Sequence, residues 1–186
     1  MLRLPFALVL VVAFAAQAAE PAAAQAKPAT STAALAAAQA ARCPDPEFRQ
    51  FDFWLGDWDT FESDHSVPGS IARARVDPIA AGCAIHELYE QTDGLIGDSI
   101  LSYDPVRKAW QQTWVDNRGS LLVLSGAFKD GAVTMEGEMH LRNGSKVLQR
   151  ITWKVEGAGV REFSVRSKDG GKTWEPFFDV LFKKRK

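Results

Sequence analysis

Two short stretches place a polar residue at the centre of an apolar pattern that repeats every second residue: Ile85-x-Glu87-x-Tyr89 and Trp110-x-Gln112-x-Trp114. A third, Val147-x-Gln149-x-Ile151-x-Trp153, does the same. In a β-strand alternate side chains share a face, so each stretch presents its polar group among aromatic and aliphatic neighbours. Glu87, Tyr89, Gln112, Trp114, Gln149 and Trp153 are therefore the candidate ligand-binding residues. A carboxyl and two amides facing an interior must be hydrogen-bonded or hydrated, because burying them unpaired is costly. In an aromatic-lined pocket such groups orient a small, partly apolar molecule. Glu87 in apolar surroundings also has the character of a general acid or base, its pKa raised by burial. Periodicity alone leaves another arrangement open, in which these faces meet solvent or the polar groups satisfy each other or a nearby arginine.

Other chemistry is less well supported. Gly97-Asp98-Ser99-Ile100 is similar to the nucleophile block of one esterase class, but that chemistry needs an α/β scaffold and a downstream Asp-x-x-His, and the chain has neither pattern. His65, His86 and His140 occur singly, without metal-ligand spacing, and no metal site is expected. Haem held by one histidine is the sharper alternative. Alternation turns His86 and His140 outward and leaves His65 in a turn, so no cofactor is expected.

The elements that would position these residues follow from turn chemistry. From Gly56 onward, apolar and β-branched runs alternate with Pro68-Gly69, Asp93-Gly94, Asp104-Pro105, Asn117-Arg118-Gly119, Asp130-Gly131, Asn143-Gly144, Gly157-Ala158-Gly159 and Asp169-Gly170-Gly171. About ten strands result, near 56–63, 70–80, 83–92, 96–103, 108–116, 120–128, 132–141, 146–156, 160–167 and 173–183. Short links favour an up-and-down antiparallel meander closed into a barrel. Ten strands enclose more space than eight, whose interior just holds its own side chains or one small ligand. Alternation directs Met135, Gly137, Met139 and Leu141 inward, with Val147, Gln149, Ile151, Trp153 and Val155, then Phe163 and Val165, then Phe178, Val180 and Phe182. Asn143-Gly144-Ser145 matches a glycosylation sequon but is better read as a tight hairpin turn.

The first residues, with Arg3, a short apolar run and Ala16-Gln17-Ala18, have the form of a secretory signal peptide over 1–18. Residues 19–43 are an Ala/Pro-rich linker with too little apolar surface to fold; Thr32 can cap a short alanine helix there, but one too short to be stable alone. The folded domain is expected over 44–186. Removing Arg3 takes the formal charge from −1 to −2, which leaves no basic field for nucleic acid or anionic lipid. The basic Lys183–Lys186 end is a solvated tail. The expected location is periplasmic or secreted, with no membrane insertion after cleavage and an oligomeric state left open. Two cysteines in an oxidising compartment, Cys43 and Cys83, are expected to form a disulfide.

Phe53-Trp54-Leu55-Gly56-Asp57-Trp58 is the most specific string in the chain, with Gly-x-Trp at the opening of the first strand. With Gly82–Glu87, Ser102–Pro105, Trp110–Asp116 and Ser167–Trp174, it resembles a family of bacterial lipocalin-like, or calycin-like, secreted proteins of unknown function that share a Phe-Trp-x-Gly-x-Trp opening. The resemblance implies a lipocalin-like barrel whose motif tryptophan plugs one end, and it implies no activity. Ser167–Trp174 also resembles the Asp-box hairpin of sialidases, but one copy signals a hairpin, not a glycosidase. Ligand binding inside the barrel is the favoured function. An isomerase, cyclase or hydrolase using Glu87, and an envelope-associated barrel with a filled interior, are the alternatives.

Overall fold

The structure is a computed structural model and describes residues 43–186. The expected signal, linker and short alanine helix lie outside the described residues. The described chain is all-β. Ten antiparallel strands run β1 (Gly56–Glu62), β2 (Ala72–Ile79), β3 (Ala84–Gln91), β4 (Ile96–Asp104), β5 (Ala109–Asp116), β6 (Leu121–Lys129), β7 (Ala132–His140), β8 (Lys146–Glu156), β9 (Gly159–Ser167) and β10 (Glu175–Lys184). Each strand pairs with its sequence neighbour, and β10 returns to β1, closing the barrel. Closure pairs every strand on both edges, which removes the exposed edge that an open meander would leave. The turn residues place the strand ends within about two residues of the sequence expectation.

One end is sealed by aromatic side chains. Two short 3-10 turns, Pro46–Arg49 and Asp52–Trp54, cross it ahead of β1 and carry Phe51 and Trp54 inward. The Phe51 ring lies 5.3 Å from Trp110 and 5.5 Å from Trp153, and Trp54 lies 5.7 Å from Phe182. Trp58 of the Gly-x-Trp motif packs edge-on to Phe182 and donates its indole N–H to the Trp54 carbonyl at 2.8 Å. Gly56, at φ 135°, leaves space that a side chain would take from Lys184; that lysine reaches the Leu55 carbonyl and lies 4.0 Å from the Trp58 ring centroid. The Cys43–Cys83 disulfide, with a Cα separation of 5.6 Å, ties the segment ahead of the plug to the β2–β3 link. Arg49 bonds the Gly82 carbonyl nearby, and Trp110 Nε1 donates to Gln50 Oε1 at 3.2 Å.

The outer face is laced with ion pairs across strands: Arg73 with Asp57, Arg150 with Glu136, and Arg161 with Asp179. Among the described residues, no helix is long and apolar enough to cross a membrane.

Inward phases hold for β7, β8 and β10 but not for β9. The two-residue Gly157-Ala158 link fixes Val155 opposite Val160 and Trp153 opposite Glu162, so Val160, Glu162, Ser164 and Arg166 face inward. Phe163 and Val165, expected inside, face outward, where Arg161 lies over the Phe163 ring. Leu141 falls just past the end of β7 and is half-buried. Val155 keeps the inward phase but sits at the barrel end, 55% exposed. A β-bulge between Pro176 and Phe178 adds a residue to β10. Both Phe177 and Phe178 then border the interior.

Candidate functional site

Above the aromatic plug lies a cavity of about 400 Å³, open at the end where the β1–β2, β3–β4, β5–β6, β7–β8 and β9–β10 links gather. Five of the six expected residues border it: Glu87, Tyr89, Gln112, Trp114 and Gln149. Trp153 does not. It is fully buried in the plug against Phe51 and Trp54, one layer too deep to meet a ligand.

Glu87 is held from behind. Ser99, its partner across the β3–β4 ladder and itself buried, donates a 2.9 Å hydrogen bond to Glu87 Oε2. Burial pushes the Glu87 carboxyl up to about 7; the Ser99 bond works against this, and the charge of Asp98 adds to it. Glu162, on β9, was missed in the sequence because its strand was phased the wrong way. It borders the same cavity, and burial first and the charge of Glu87 second raise its pKa well above the ordinary glutamate value. The nearby Trp153 indole N–H, on the partner strand, partly offsets this. Glu162 retains some accessible surface, and that surface faces the cavity.

Gln112 is 4% exposed, and its Oε1 has no hydrogen-bond partner among the described residues. Gln149 is occupied. Its Oε1 accepts Nε and Nη2 of Arg166 at 3.2 and 3.0 Å, and the same guanidinium lies 3.1 Å from the centroid of the Phe177 ring. Partial burial lowers the Arg166 pKa. Sequence reasoning missed Arg166 with Glu162. The signal that would have found both was the tight Gly157-Ala158 turn, which copies the inward phase of β8 onto β9.

Trp114 lies over Gly97, where an added Cβ would come within 2.1 Å of the indole, and packs edge-on to Tyr89 at 6.2 Å. Burial raises the Tyr89 hydroxyl pKa, with the nearby Thr60 hydroxyl opposing. Strand geometry splits the Gly97–Ile100 stretch: Gly97 makes room for Trp114, Ser99 supports Glu87, and Asp98 faces outward to His86 at 2.8 Å. His65 and His140 lie in a turn and on an exposed outer position, so none of the three histidines borders the cavity. No protein-family model and no curated protein matches the chain. What the cavity offers chemically is an aromatic and aliphatic wall, two carboxyl groups and an unpartnered amide oxygen in its depth, and Arg166 and Arg118 with Glu62 and Asp116 towards its mouth.

The Ser167–Trp174 segment is a hairpin outside this site. Asp169 Oδ1 accepts the backbone N–H groups of Lys172 and Thr173 at 3.0 and 2.9 Å, and Trp174 Nε1 donates to the Gly171 carbonyl at 3.1 Å. Asn143-Gly144-Ser145 is likewise a turn, closed by Ser145 N–H on Asn143 Oδ1 at 3.0 Å.

Proposed function

We propose that this chain is an exported lipocalin-like barrel that binds a small, partly apolar molecule in its interior. The observation that carries this reading is the cavity of about 400 Å³, sealed at one end by aromatic packing and open at the other. Its volume lies in the range of small-molecule sites, and its lining combines apolar walls with a few placed polar groups. The Gly-x-Trp plug and the closed antiparallel barrel support membership of the lipocalin-like secreted family, and the disulfide supports an oxidising, periplasmic or extracellular location. The ion-paired outer face supports a barrel that stays in water, without nucleic acid as a partner. An envelope barrel with a filled interior fits a cavity of this size poorly. The reading includes no cofactor.

Titration with the neutral fluorophore N-phenylnaphthylamine tests it. Saturable fluorescence at one site per chain, with native mass spectrometry of protein from its own host showing a bound small molecule, is the expected result. A flat titration together with a bare mass removes the reading.

The Glu87–Glu162 pair favours a second reading, in which the bound molecule is also transformed by general acid–base catalysis. Two interacting carboxyls with raised pKa values hold a proton near neutrality and can deliver or accept it. Recovery of the co-purified molecule unchanged after incubation with excess protein would count against it.

A further inference from the structure

We propose that the depth of the cavity recognises an amine, with Glu87 and Glu162 sharing its ammonium group and Gln112 Oε1 serving as a third acceptor. This rests on the ligand-binding reading above and names the chemical class of the ligand.

Three oxygen-bearing side chains able to accept hydrogen bonds, Glu87, Glu162 and Gln112, meet in the depth of the cavity. Glu87 uses one oxygen on Ser99. Glu162 has no ion pair among the described residues and only the Trp153 indole N–H near it as a donor, and Gln112 Oε1, in a side chain only 4% exposed, has no partner. These groups come from β3, β9 and β5, so barrel closure alone brings them to one cavity. Buried polar groups left without partners are unfavourable, and two facing carboxyls add repulsion. A single ligand group that donates several hydrogen bonds and carries positive charge relieves both terms. An ammonium does this with three donors. Trp114 and Tyr89 beside it supply the aromatic faces that attract such a cation.

The charged surroundings of the pair leave it without a resident counter-ion. Glu62 on β1 borders the cavity towards the mouth, Asp116 and Arg118 lie at the rim, and Asp98 stands on the outer face behind Glu87. Arg118 is paired with Asp93. Arg166, further towards the mouth on β9, is held by Gln149 and Phe177. Burial first, then the charge of Asp98 on Glu87 and that of Glu87 on Glu162, keeps both carboxyls protonated to higher pH than ordinary glutamates. An ammonium entering between them draws the pair towards the carboxylate form, and each proton so displaced leaves to the buffer.

Three probes with one apolar body separate the outcomes: phenylbutylamine, phenylbutanol and phenylbutyrate, titrated calorimetrically at pH 7 into the disulfide-intact protein. The expected result is that the amine binds at least tenfold more tightly than the other two. Its apparent enthalpy should change between phosphate and Tris buffers, reporting proton release. The Glu87→Gln/Glu162→Gln double variant should still bind phenylbutanol and should lose the preference. Retained phenylbutanol affinity shows that this variant is folded with its cavity intact. Equal binding of all three probes overturns the amine assignment and leaves the ligand-binding reading standing. Tightest binding of phenylbutyrate overturns it in favour of Arg166 as the recognising group. A preference for the amine that survives the double variant also overturns it. If no probe binds, the amine assignment falls, while the ligand-binding reading stands or falls by the N-phenylnaphthylamine titration and native mass.

Discussion

Ser99 donates a 2.9 Å hydrogen bond to Glu87 across the β3–β4 ladder, from a position fully buried behind the cavity wall. The bond favours the charged carboxylate and restrains a pKa that burial drives upward. Ser99→Ala should raise the Glu87 pKa above 7 and cost about 1 kcal/mol of stability, the usual worth of such a bond. Carbon-detected NMR titration of the glutamate carboxyls measures the first effect, and urea unfolding measures the second. An unchanged Glu87 titration would show that the serine does not hold the carboxylate.

Stability should fall as pH rises from 4.5 to about 7. Glu87 has a folded pKa of about 7 against an ordinary 4.5, so it favours folding fully below the lower value and loses that contribution as pH rises through the higher one. The whole contribution is about 3 kcal/mol by the usual conversion of pKa units to free energy. Glu162 acts in the same direction. Carboxyls held below their ordinary values act in the opposite direction in more acid solution, among them Asp179, which Arg161 stabilises by a direct bond. Chemical denaturation between pH 4 and 8 should therefore find a stability maximum near pH 5, and Glu87→Gln/Glu162→Gln should flatten the decline above it.

Gly97 is where Trp114 rests, and a Cβ there would come within 2.1 Å of its rigid indole. Gly97→Ala should force the ring into the cavity and weaken N-phenylnaphthylamine binding about tenfold, equivalent to about 1.4 kcal/mol. Unchanged affinity with an unchanged tryptophan emission spectrum would show that the indole moves elsewhere.

The disulfide closes a loop across a sequence separation of 40 and fastens the segment that leads into the plug. Reduction should lower unfolding free energy by about 4 kcal/mol in the chain-entropy model. It should also raise hydrogen exchange first in residues 46–54, which are otherwise tied by the Arg49–Gly82, Gln50–Trp110 and Trp58–Trp54 bonds and by aromatic packing. Uniform exchange across the barrel on reduction would contradict that local role.

Asp169 organises the β9–β10 turn, accepting two backbone N–H groups and the Thr173 hydroxyl at 2.6 Å. These bonds, the one from the Thr173 hydroxyl foremost, hold its carboxyl well below the usual range. Asp169→Ala should lower the melting temperature and speed amide exchange at Lys172 and Thr173 while leaving probe binding intact, because the hairpin does not border the cavity. Loss of binding would mean that the turn positions Phe177 and Phe178.

The chain's turn residues and alternation determine the ten strands, their antiparallel order and most inward positions, because both signals are local: a turn needs a few particular residues, and a strand exposes every second one. The pairing of Cys43 with Cys83 was also legible, since two cysteines allow one intramolecular bridge. The candidate site was legible strand by strand at Glu87, Tyr89, Gln112, Trp114 and Gln149. Tertiary structure decided the rest. The phase of β9 depends on its register with β8, which overrides the apolar appeal of Phe163 and Val165 and turns Glu162 and Arg166 inward. The depth of Trp153 depends on where Phe51 and Trp54 cross the barrel end, and the double phenylalanine at the mouth depends on a bulge. The meeting of Glu87 with Glu162 depends on closure, since β3 and β9 share no ladder and only a closed barrel sets them around one cavity.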